Sequence, residues 1–365
     1  MITPFDYRRR LAEIEDEVME AVKRVLHSNR LVLGPETEGF EREFATAAGA
    51  VHAIGVSSGT RALELALAAL GIGQGDEVIT VSNTCVPTIA AIRATSATPV
   101  FVDVREADLT MDPLLVEAAI TERTRCILPV HLHGNSADMD AVLSIARARK
   151  LRVVEDCAQA FGTRWGNSQV GTFGDIGCFS FYPTKNLGAY GDAGAVITND
   201  PELGDKLKRL RTYGLDPSGL AQDEGANARI NEIQAAILRV KLNRFDAWMS
   251  RRIEIAAAYR DGISNSALTL PAHLEKCTPS YHQYVLRSER RDDLKAWLHE
   301  KKIITGIHYP VPVHRMPAYA FLGGEALDLP VTDRLAARIL SLPVHDGLTP
   351  DETHLVIEAA NSFPG

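Results

Sequence analysis

The segment Phe179-Ser-Phe-Tyr-Pro-Thr-Lys-Asn-Leu-Gly-Ala-Tyr-Gly-Asp-Ala-Gly194 sets one lysine among small, aromatic and turn-forming residues. Lys185 follows the apolar, β-prone run 176–181 and Pro183, which predicts a side chain on a turn at a strand end. Burial there would lower the pKa of the amine and free its lone pair to attack a carbonyl carbon. Lys185 is therefore a candidate for forming an imine, and a purely structural lysine is the alternative.

The composition is that of an ordinary globular protein. The chain has 365 residues, of which 45% are hydrophobic and 24% charged, and its formal net charge is −8. The length predicts about two domains, and the negative charge argues against a nucleic-acid-binding surface. The five cysteines are odd in number and lack C-x-x-C spacing, which argues against a disulfide framework or a structural zinc site. Because no apolar run has the length of a membrane span and 1–17 is too charged for a signal peptide, we expect a soluble cytoplasmic protein.

Strands alternate with helices through the first half of the chain. The predicted strands are 51–56, 77–81, 100–104, 125–130, 152–155 and 195–198, and the predicted helices between and after them are 60–70, 88–94, 113–120, 139–150 and 202–211. This alternation predicts βαβ units and a largely parallel sheet covered on both faces. Further helices are predicted at 14–26, 36–48, 229–245 and 249–261, then a strand at 281–287 and helices at 292–301, 332–340 and 351–363. We expect a large domain over 1–247 and a smaller α+β domain over 248–365.

Small polar groups follow several predicted strands, where α/β sheets bind their ligands. In Val56-Ser-Ser-Gly-Thr60, Gly59 permits close backbone approach, and the helix that follows presents free N–H groups to an anion such as a phosphate. The alternative is that Ser58 or Thr60 only caps this helix. In the segment 225–234, Asn227 and Arg229 could reach a phosphate, or they could be a plain cap and a surface arginine.

An acidic pair ends the predicted strand 152–155. An acid buried at the end of a parallel strand is costly unless a cation meets it, and a pyridinium nitrogen would be such a partner. A carboxylate beside that nitrogen keeps the ring protonated and able to accept electrons. Asp156 and Glu155 are equal candidates for this role, and a structural salt bridge is the alternative for either. An anion site, a pyridinium partner and an imine-forming lysine together are what pyridoxal phosphate (PLP) requires.

The chain resembles the DegT/DnrJ/EryC1/StrS family of sugar aminotransferases, which are PLP-dependent enzymes of fold type I. The motifs that carry the resemblance are Leu33-Gly-Pro35, Ser58-Gly-Thr60, Gly75-Asp-Glu-Val-Ile79, Val130-His-Leu-His-Gly134 with Asp138-Met-Asp140, Glu155-Asp156, Phe179–Gly194 and Ile307-His-Tyr-Pro-Val-Pro-Val-His314. The resemblance implies a large domain with a mostly parallel mixed sheet between helices and a smaller C-terminal α+β domain.

The resemblance also implies a role for each matching residue. Lys185 would bind the cofactor and carry the proton between the substrate carbon and cofactor C4′, Asp156 would pair with the pyridine nitrogen, and Gln159 would lie near the phenolic oxygen. The expected phosphate ligands are Ser58, Gly59, Thr60 and Ser180, with Asn227 reaching the site of the neighbouring subunit in a homodimer. The expected substrate contacts are Tyr182, Arg229, His308 and Tyr309.

Three positions depart from the family pattern. Cys85 stands where an aromatic residue commonly stacks on the cofactor ring, His133 stands where tyrosine is frequent, and Ala193 replaces a common glycine. None of them removes a catalytic group, so they affect the assignment of the substrate more than the assignment of the reaction type. His131 and His133 alternate along an extended stretch and should face opposite ways, so we expect no metal site.

The sequence thus predicts an aminotransferase that moves an amino group, from L-glutamate, to a keto-sugar on a nucleotide diphosphate, with a 3-keto-6-deoxy sugar on dTDP favoured by His308-Tyr309. One alternative is a PLP-dependent sugar dehydratase, although relatives with that activity have histidine in place of the lysine. A 4-keto-sugar aminotransferase and a non-catalytic regulator with the same fold are the others.

Overall fold

The computed structural model describes residues 1–364. The helices are α1 (Tyr7–His27), α2 (Pro35–Ala48), α3 (Gly59–Ala69), α4 (Val86–Ala94), α5 (Pro113–Val116), α6 (Met139–Arg149), α7 (Pro201–Leu210), α8 (Glu232–Leu242), α9 (Phe245–Gly262), α10 (Arg291–Glu300), α11 (Pro330–Arg338) and α12 (Pro350–Asn361). The strands are β1 (His52–Val56), β2 (Glu77–Val81), β3 (Thr98–Val102), β4 (Thr124–Ile127), β5 (Arg152–Asp156), β6 (Arg164–Trp165), β7 (Ser168–Gln169), β8 (Ile176–Ser180), β9 (Gly194–Thr198), β10 (Cys277–Thr278), β11 (Tyr284–Arg287) and β12 (Ile339–Leu342). Within residues 1–364, each helix is too short or too polar to cross a membrane.

A seven-stranded sheet forms the centre of the molecule, in the order β1-β9-β8-β5-β4-β2-β3. Strand β9 runs antiparallel to both of its neighbours, and the other adjacent pairs are parallel. The strands are almost entirely buried, as expected for a sheet covered on both faces. The predicted mostly parallel mixed sheet between helices is confirmed. Because β1, β2, β5 and β8 all point the same way, the residues that follow them meet at one edge.

In the C-terminal part, the end of one predicted helix was wrong. A helix was predicted over 332–340, but α11 ends at Arg338 and the next four residues form β12, which pairs antiparallel with β11. Ile339 and Leu340 continue the apolar spacing of the helix, so only the long-range pairing with β11 reveals the strand. Strand residues such as Leu340 and Leu342 pack in a second hydrophobic cluster with residues of α9, α10 and α12. The domain boundary at 247–248 stays a prediction, and it falls inside α9.

Candidate active site

The lysine segment is a loop between β8 and β9 that is fixed by backbone hydrogen bonds. The N–H of Phe181 donates to the Ala193 carbonyl, and the N–H of Ala189 donates back to the Phe181 carbonyl, each at 2.8 Å. The N–H of Lys185 donates to the Tyr182 carbonyl at 2.8 Å, which closes a turn. Beneath the loop, the buried Lys241 of α8 donates to the Gly188 carbonyl at 2.6 Å. The predicted turn at a strand end is confirmed.

Lys185 faces a cavity of 300 Å³ at the carboxyl edge of the sheet, here called the main cavity. The structure brings nine of the predicted site residues to its wall: Ser58, Gly59, Thr60, Cys85, Asp156, Gln159, Ser180, Tyr182 and Lys185. Burial lowers the pKa of the Lys185 amine, while nearby Cys85 and Asp156 oppose this shift. The amine therefore loses its proton more readily than a surface lysine does, which is what a nucleophile or a general base needs.

The start of α3 lines the main cavity, with Ser58, Gly59 and Thr60 in its wall. The Ser58 hydroxyl caps the helix by accepting from the Arg61 N–H at 3.2 Å, and phosphate binding at this helix start stays a prediction. The N–H groups of Gly59 and Thr60 donate no hydrogen bond to any residue of 1–364. Two unpaired donors at a helix N-terminus bind an anion well. The Ser180 hydroxyl lies beside them, close enough that a Cβ on Gly59 would stand 2.6 Å from the Ser180 Cβ.

The structure separates the two acids of β5. The Asp156 side chain lies on the main cavity and is buried, which raises the pKa of its carboxyl group. It accepts hydrogen bonds from the Thr88 hydroxyl at 2.8 Å and from the Ala158 N–H at 3.1 Å, and both lower that pKa. A carboxylate so placed has room on the cavity side for a further, cationic partner. Asp156 is therefore the acid that can meet a pyridinium nitrogen.

Glu155 points to the opposite side and is fully buried. Its carboxylate accepts from the N–H groups of Gly171, Phe173 and Gly174 at 2.7 to 2.8 Å, and His131 Nε2 lies 2.9 Å from the same group. These donors occupy its lone pairs, so Glu155 ties down the 171–174 loop and is no ligand of the cavity.

A buried cluster of His131, Glu155 and Cys157 has ligand atoms within 4.8 Å of one another, the spacing of a metal site. His131 Nδ1 accepts from the Ala137 N–H at 3.2 Å, which places the proton on Nε2 beside Glu155. With both nitrogens engaged and the acid saturated by donors, the cluster offers no free lone pair from either residue. The thiol does not compensate, because burial raises the pKa of Cys157 well above its usual range. The cluster is therefore a hydrogen-bonded part of the core.

Gln159 links His133 to Tyr309. Its Oε1 accepts from the His133 N–H at 2.8 Å, and its Nε2 donates to the Tyr309 hydroxyl at 3.0 Å. Burial, together with Cys85, raises the pKa of Tyr309, so its hydroxyl keeps its proton. Cys85 and Tyr309 thus stand together on the side where an aromatic residue was expected to cover the ring. The His133 Nδ1 lies 2.7 Å from the Gln283 Oε1, and burial lowers the pKa of His133 to about 3.

Three predicted residues lie away from the main cavity of this chain. His308 lines a neighbouring cavity, and burial with the nearby Lys185 lowers its pKa to about 4. Asn227 is exposed, Arg229 is half-buried, and the two bond to each other, with Arg229 Nε 3.1 Å from Asn227 Oδ1. The Arg229 guanidinium lies 5.7 Å from the centre of the Tyr213 ring. The contact of Asn227 with the phosphate site of a partner subunit and the contact of Arg229 with the substrate stay predictions.

Sequence reasoning missed Thr88, whose hydroxyl orients the Asp156 carboxylate and also lies 2.7 Å from the Thr84 hydroxyl. The available signal was its place in the first turn of α4, three residues after Cys85. It also missed Arg252, a buried guanidinium of α9 near the lysine loop, which no sequence pattern distinguishes.

The main cavity fits PLP on three observations. The cavity wall carries two unpaired N–H groups with a hydroxyl beside them, a carboxylate with an open side, and an amine of lowered pKa. A Cβ on Gly194 would stand 2.5 Å from the Ser58 carbonyl carbon, so the absence of a side chain there lets the start of α3 pack against β9. Fold and site together define a PLP-dependent enzyme of fold type I.

Comparison with known proteins gives the family. The family model for the DegT/DnrJ/EryC1/StrS aminotransferase family matches residues 12–361, and the chain belongs to this family. It is 46% identical to a dTDP-3-amino-3,4,6-trideoxy-alpha-D-glucose transaminase of Streptomyces venezuelae, over 99% of this chain and 96% of that protein. It is 45% identical to the erythromycin biosynthesis sensory transduction protein EryC1 of Saccharopolyspora erythraea, over 98% of both chains. The crystal structure of S. venezuelae DesV in complex with a ketimine intermediate superposes with a TM-score of 0.95, at 45% identity over 100% of this chain and 98% of that one.

Proposed function

We propose that this PLP-dependent aminotransferase transfers the amino group of L-glutamate to the 3-keto carbon of a 6-deoxy sugar carried on dTDP. The single observation that carries the chemistry is the meeting of Lys185, Asp156 and the free N–H groups of α3 around one cavity. The sugar assignment is supported by the similarity to the Streptomyces venezuelae transaminase, whose name specifies a 3-amino sugar on dTDP. Tyr182, half exposed at the mouth of the main cavity, supplies a polar and aromatic surface for a sugar ring.

When bound, PLP supplies an electron-accepting ring and an aldehyde that exchanges amino groups. The N–H groups of Gly59 and Thr60 would hold its phosphate, aided by the positive end of the α3 dipole. Asp156 would keep the pyridine nitrogen protonated, since a buried carboxylate is stabilised by an adjacent cation. Gln159 would offer its second amide hydrogen to the phenolic oxygen, because the first is donated to Tyr309.

Lys185 performs the proton transfers of both half-reactions. Its lowered pKa makes the Nζ lone pair more available than that of a surface lysine, so it takes the proton from the substrate carbon that bears the nitrogen. In the second half-reaction the same group returns a proton to the sugar carbon. The loop hydrogen bonds to Ala193 and Gly188 keep Nζ in place, because a proton transfer needs heavy atoms within about 3 Å.

The test follows the cofactor and the product separately. Holoenzyme mixed with L-glutamate should lose the visible absorbance of the lysine-bound cofactor and yield 2-oxoglutarate. Addition of a dTDP-linked 3-keto-6-deoxy sugar should restore the absorbance and yield a dTDP amino sugar. If only a 4-keto sugar restores the absorbance, the aminated carbon is C4 instead of C3. Release of ammonia without formation of an amino sugar would indicate a dehydratase. Absence of bleaching with glutamate and other amino acids would favour a regulator.

We propose further that the enzyme works in the cytoplasm as a homodimer in which Asn227 serves the partner's phosphate site. Support comes from the exposure of Asn227 and from its position away from the main cavity of its own chain. Co-expression of Lys185→Ala with Asn227→Ala tests this. Hybrid dimers would contain one intact site, so a random mixture should regain about a quarter of the wild-type activity. Activity no higher than that of Asn227→Ala alone would contradict shared sites.

A further inference from the structure

A second cavity of 160 Å³, here called the side cavity, lies next to the lysine loop and has an unusual charge. Its polar lining consists of Thr184, Arg252, His282, Gln283, His308 and Ser341. The remaining lining residues are apolar or glycine, and all of them belong to the described part of the chain. The side cavity is therefore lined by one permanent cation and two histidines, with no acid among them.

Arg252 lacks a carboxylate partner although it is buried. Its Nη1 donates to the carbonyls of Tyr281, His282 and Val344 at 3.1, 3.4 and 2.6 Å. Its Nε and Nη2 make no hydrogen bond to any residue of 1–364. Neither atom is fully buried, so both can be reached by a small ligand. The negative charge of Asp346 acts on Arg252, but both Asp346 oxygens are hydrogen-bonded to Arg10. A buried guanidinium with two free donors is costly unless an anion completes it.

His282 presents a second ring nitrogen near this cation. The Asn186 Nδ2 donates to the Phe161 carbonyl, so the Asn186 Oδ1 faces His282 Nδ1 at 3.2 Å and accepts its proton. His282 Nε2 is then left with a free lone pair, and an arriving anion would favour its protonation by a proton from water. Burial lowers the pKa of His282 well below its ordinary value, and the positive Lys185 and Arg252 lower it further.

The side cavity lies against the lysine loop. Thr184, which lines it, directly precedes Lys185, and a smaller cavity of 20 Å³ is lined by both Lys185 and Arg252. A substrate whose nitrogen lies at Lys185 could thus extend a short chain toward Arg252.

We propose that the side cavity binds the side-chain carboxylate of a dicarboxylic amino-acid donor, with Arg252 as its ion-pair partner. This inference rests on the proposed function and assigns the donor a subsite of its own. The planar guanidinium fork matches a carboxylate in two-point geometry. A diphosphate is also anionic, but a cavity of 160 Å³ has no room for the nucleotide that accompanies it.

The first test compares amino donors in the half-reaction of the holoenzyme. Glutamate has a side-chain carboxylate that alanine lacks. The ratio of their second-order rate constants for loss of the visible absorbance therefore reports on the binding of that carboxylate. Arg252→Met should lower the glutamate-to-alanine ratio by about 10- to 100-fold, the effect of losing a charge-assisted pair. The matched control is Arg251→Met, the next residue of α9, whose guanidinium lies 3.1 Å from Glu254 and contacts the Leu348 carbonyl. An unchanged ratio in Arg252→Met overturns the proposal.

The second test needs no variant, because Arg252→Met leaves three carbonyls unbonded and could fail to fold. In the wild-type holoenzyme, glutarate should inhibit the glutamate half-reaction competitively, at a concentration at least about tenfold below that of valerate. Equal inhibition by the two acids overturns the proposal, and stronger inhibition by pyrophosphate than by glutarate assigns the side cavity to a diphosphate instead. Failure of the proposed function is distinct, since then no amino acid bleaches the enzyme at all.

Discussion

The neighbouring acids of β5 permit one sharp prediction, because they are chemically similar and their surroundings differ. Asp156→Asn and Glu155→Gln are both isosteric replacements of a buried carboxylate by an amide. We expect the first to remove activity and leave the fold, and the second to weaken the fold and leave the chemistry.

The cost of Glu155→Gln follows from its four donors. The Oε1 atom accepts from the N–H groups of Phe173 and Gly174, and Oε2 accepts from Gly171 and His131. An amide must place its NH₂ against one of these pairs, so two buried donors lose their acceptor. At about 1–3 kcal/mol for each, the free energy of unfolding should fall by about 2–6 kcal/mol.

Asp156→Asn costs the fold much less. Only the Thr88 hydroxyl and the Ala158 N–H donate to this side chain, and an amide oxygen can keep the latter while the Thr88 hydroxyl turns to accept. Burial disfavours the charge of Asp156, so its removal also relieves a desolvation cost. The free energy of unfolding should stay within about 1 kcal/mol of wild type. The half-reaction with glutamate should slow at least about 100-fold, because a preorganised charge at the ring nitrogen is lost.

Two measurements decide the matter. Urea unfolding followed by circular dichroism gives the free energies of the apoproteins, and stopped-flow absorbance gives the half-reaction of the holoenzymes. If Asp156→Asn is destabilised as much as Glu155→Gln and retains its rate, the assignment of the two acids is reversed.

Three further predictions concern the lysine loop and its surroundings. Lys185→Ala should show neither the visible absorbance of lysine-bound cofactor nor turnover, and borohydride should label Lys185 in wild type only; a labelled variant would refute the assignment. Gly59→Ala places a Cβ 2.6 Å from the Ser180 Cβ and should weaken PLP binding at least about tenfold by fluorescence titration, while Gly73→Ala, which meets only a carbonyl oxygen at 3.4 Å, should not. Burial lowers the pKa of Lys241 to about 7 in the folded chain. Above pH 7 the unfolded chain therefore binds more protons at this residue than the folded chain does. The free energy of unfolding should rise from pH 7 to 10 by up to about 1.4 kcal/mol per pH unit. Urea unfolding of Lys241→Met should lack this rise, and an equal rise would contradict it.

Much of the site was predictable because its residues follow strands. Lys185, Asp156 and Ser58 each come directly after a short apolar run, and parallel strands bring such positions to one edge. The choice between Asp156 and Glu155 was not predictable from the pattern. It depends on the 171–174 loop, whose N–H groups fold back onto Glu155 through tertiary contacts.

Other features were hidden for equally physical reasons. The strand β12 continues the apolar spacing of α11, so its partner β11 had to be known before it could be recognised. Arg252 resembles any arginine on a helix with several charged neighbours, and only the fold shows that it is buried while Arg251 beside it is not. The role of Asn227 depends on a second chain, which no pattern within one chain specifies.

The unbonded N–H groups of Gly59 and Thr60 also affect how the apoprotein should be handled. Any small oxyanion in the solution can bind to them, so phosphate or sulfate salts would compete with PLP during reconstitution. Purification and loading in a medium free of such ions should therefore give faster and more complete uptake, and a preparation that looks inert in phosphate should be dialysed before it is judged inactive.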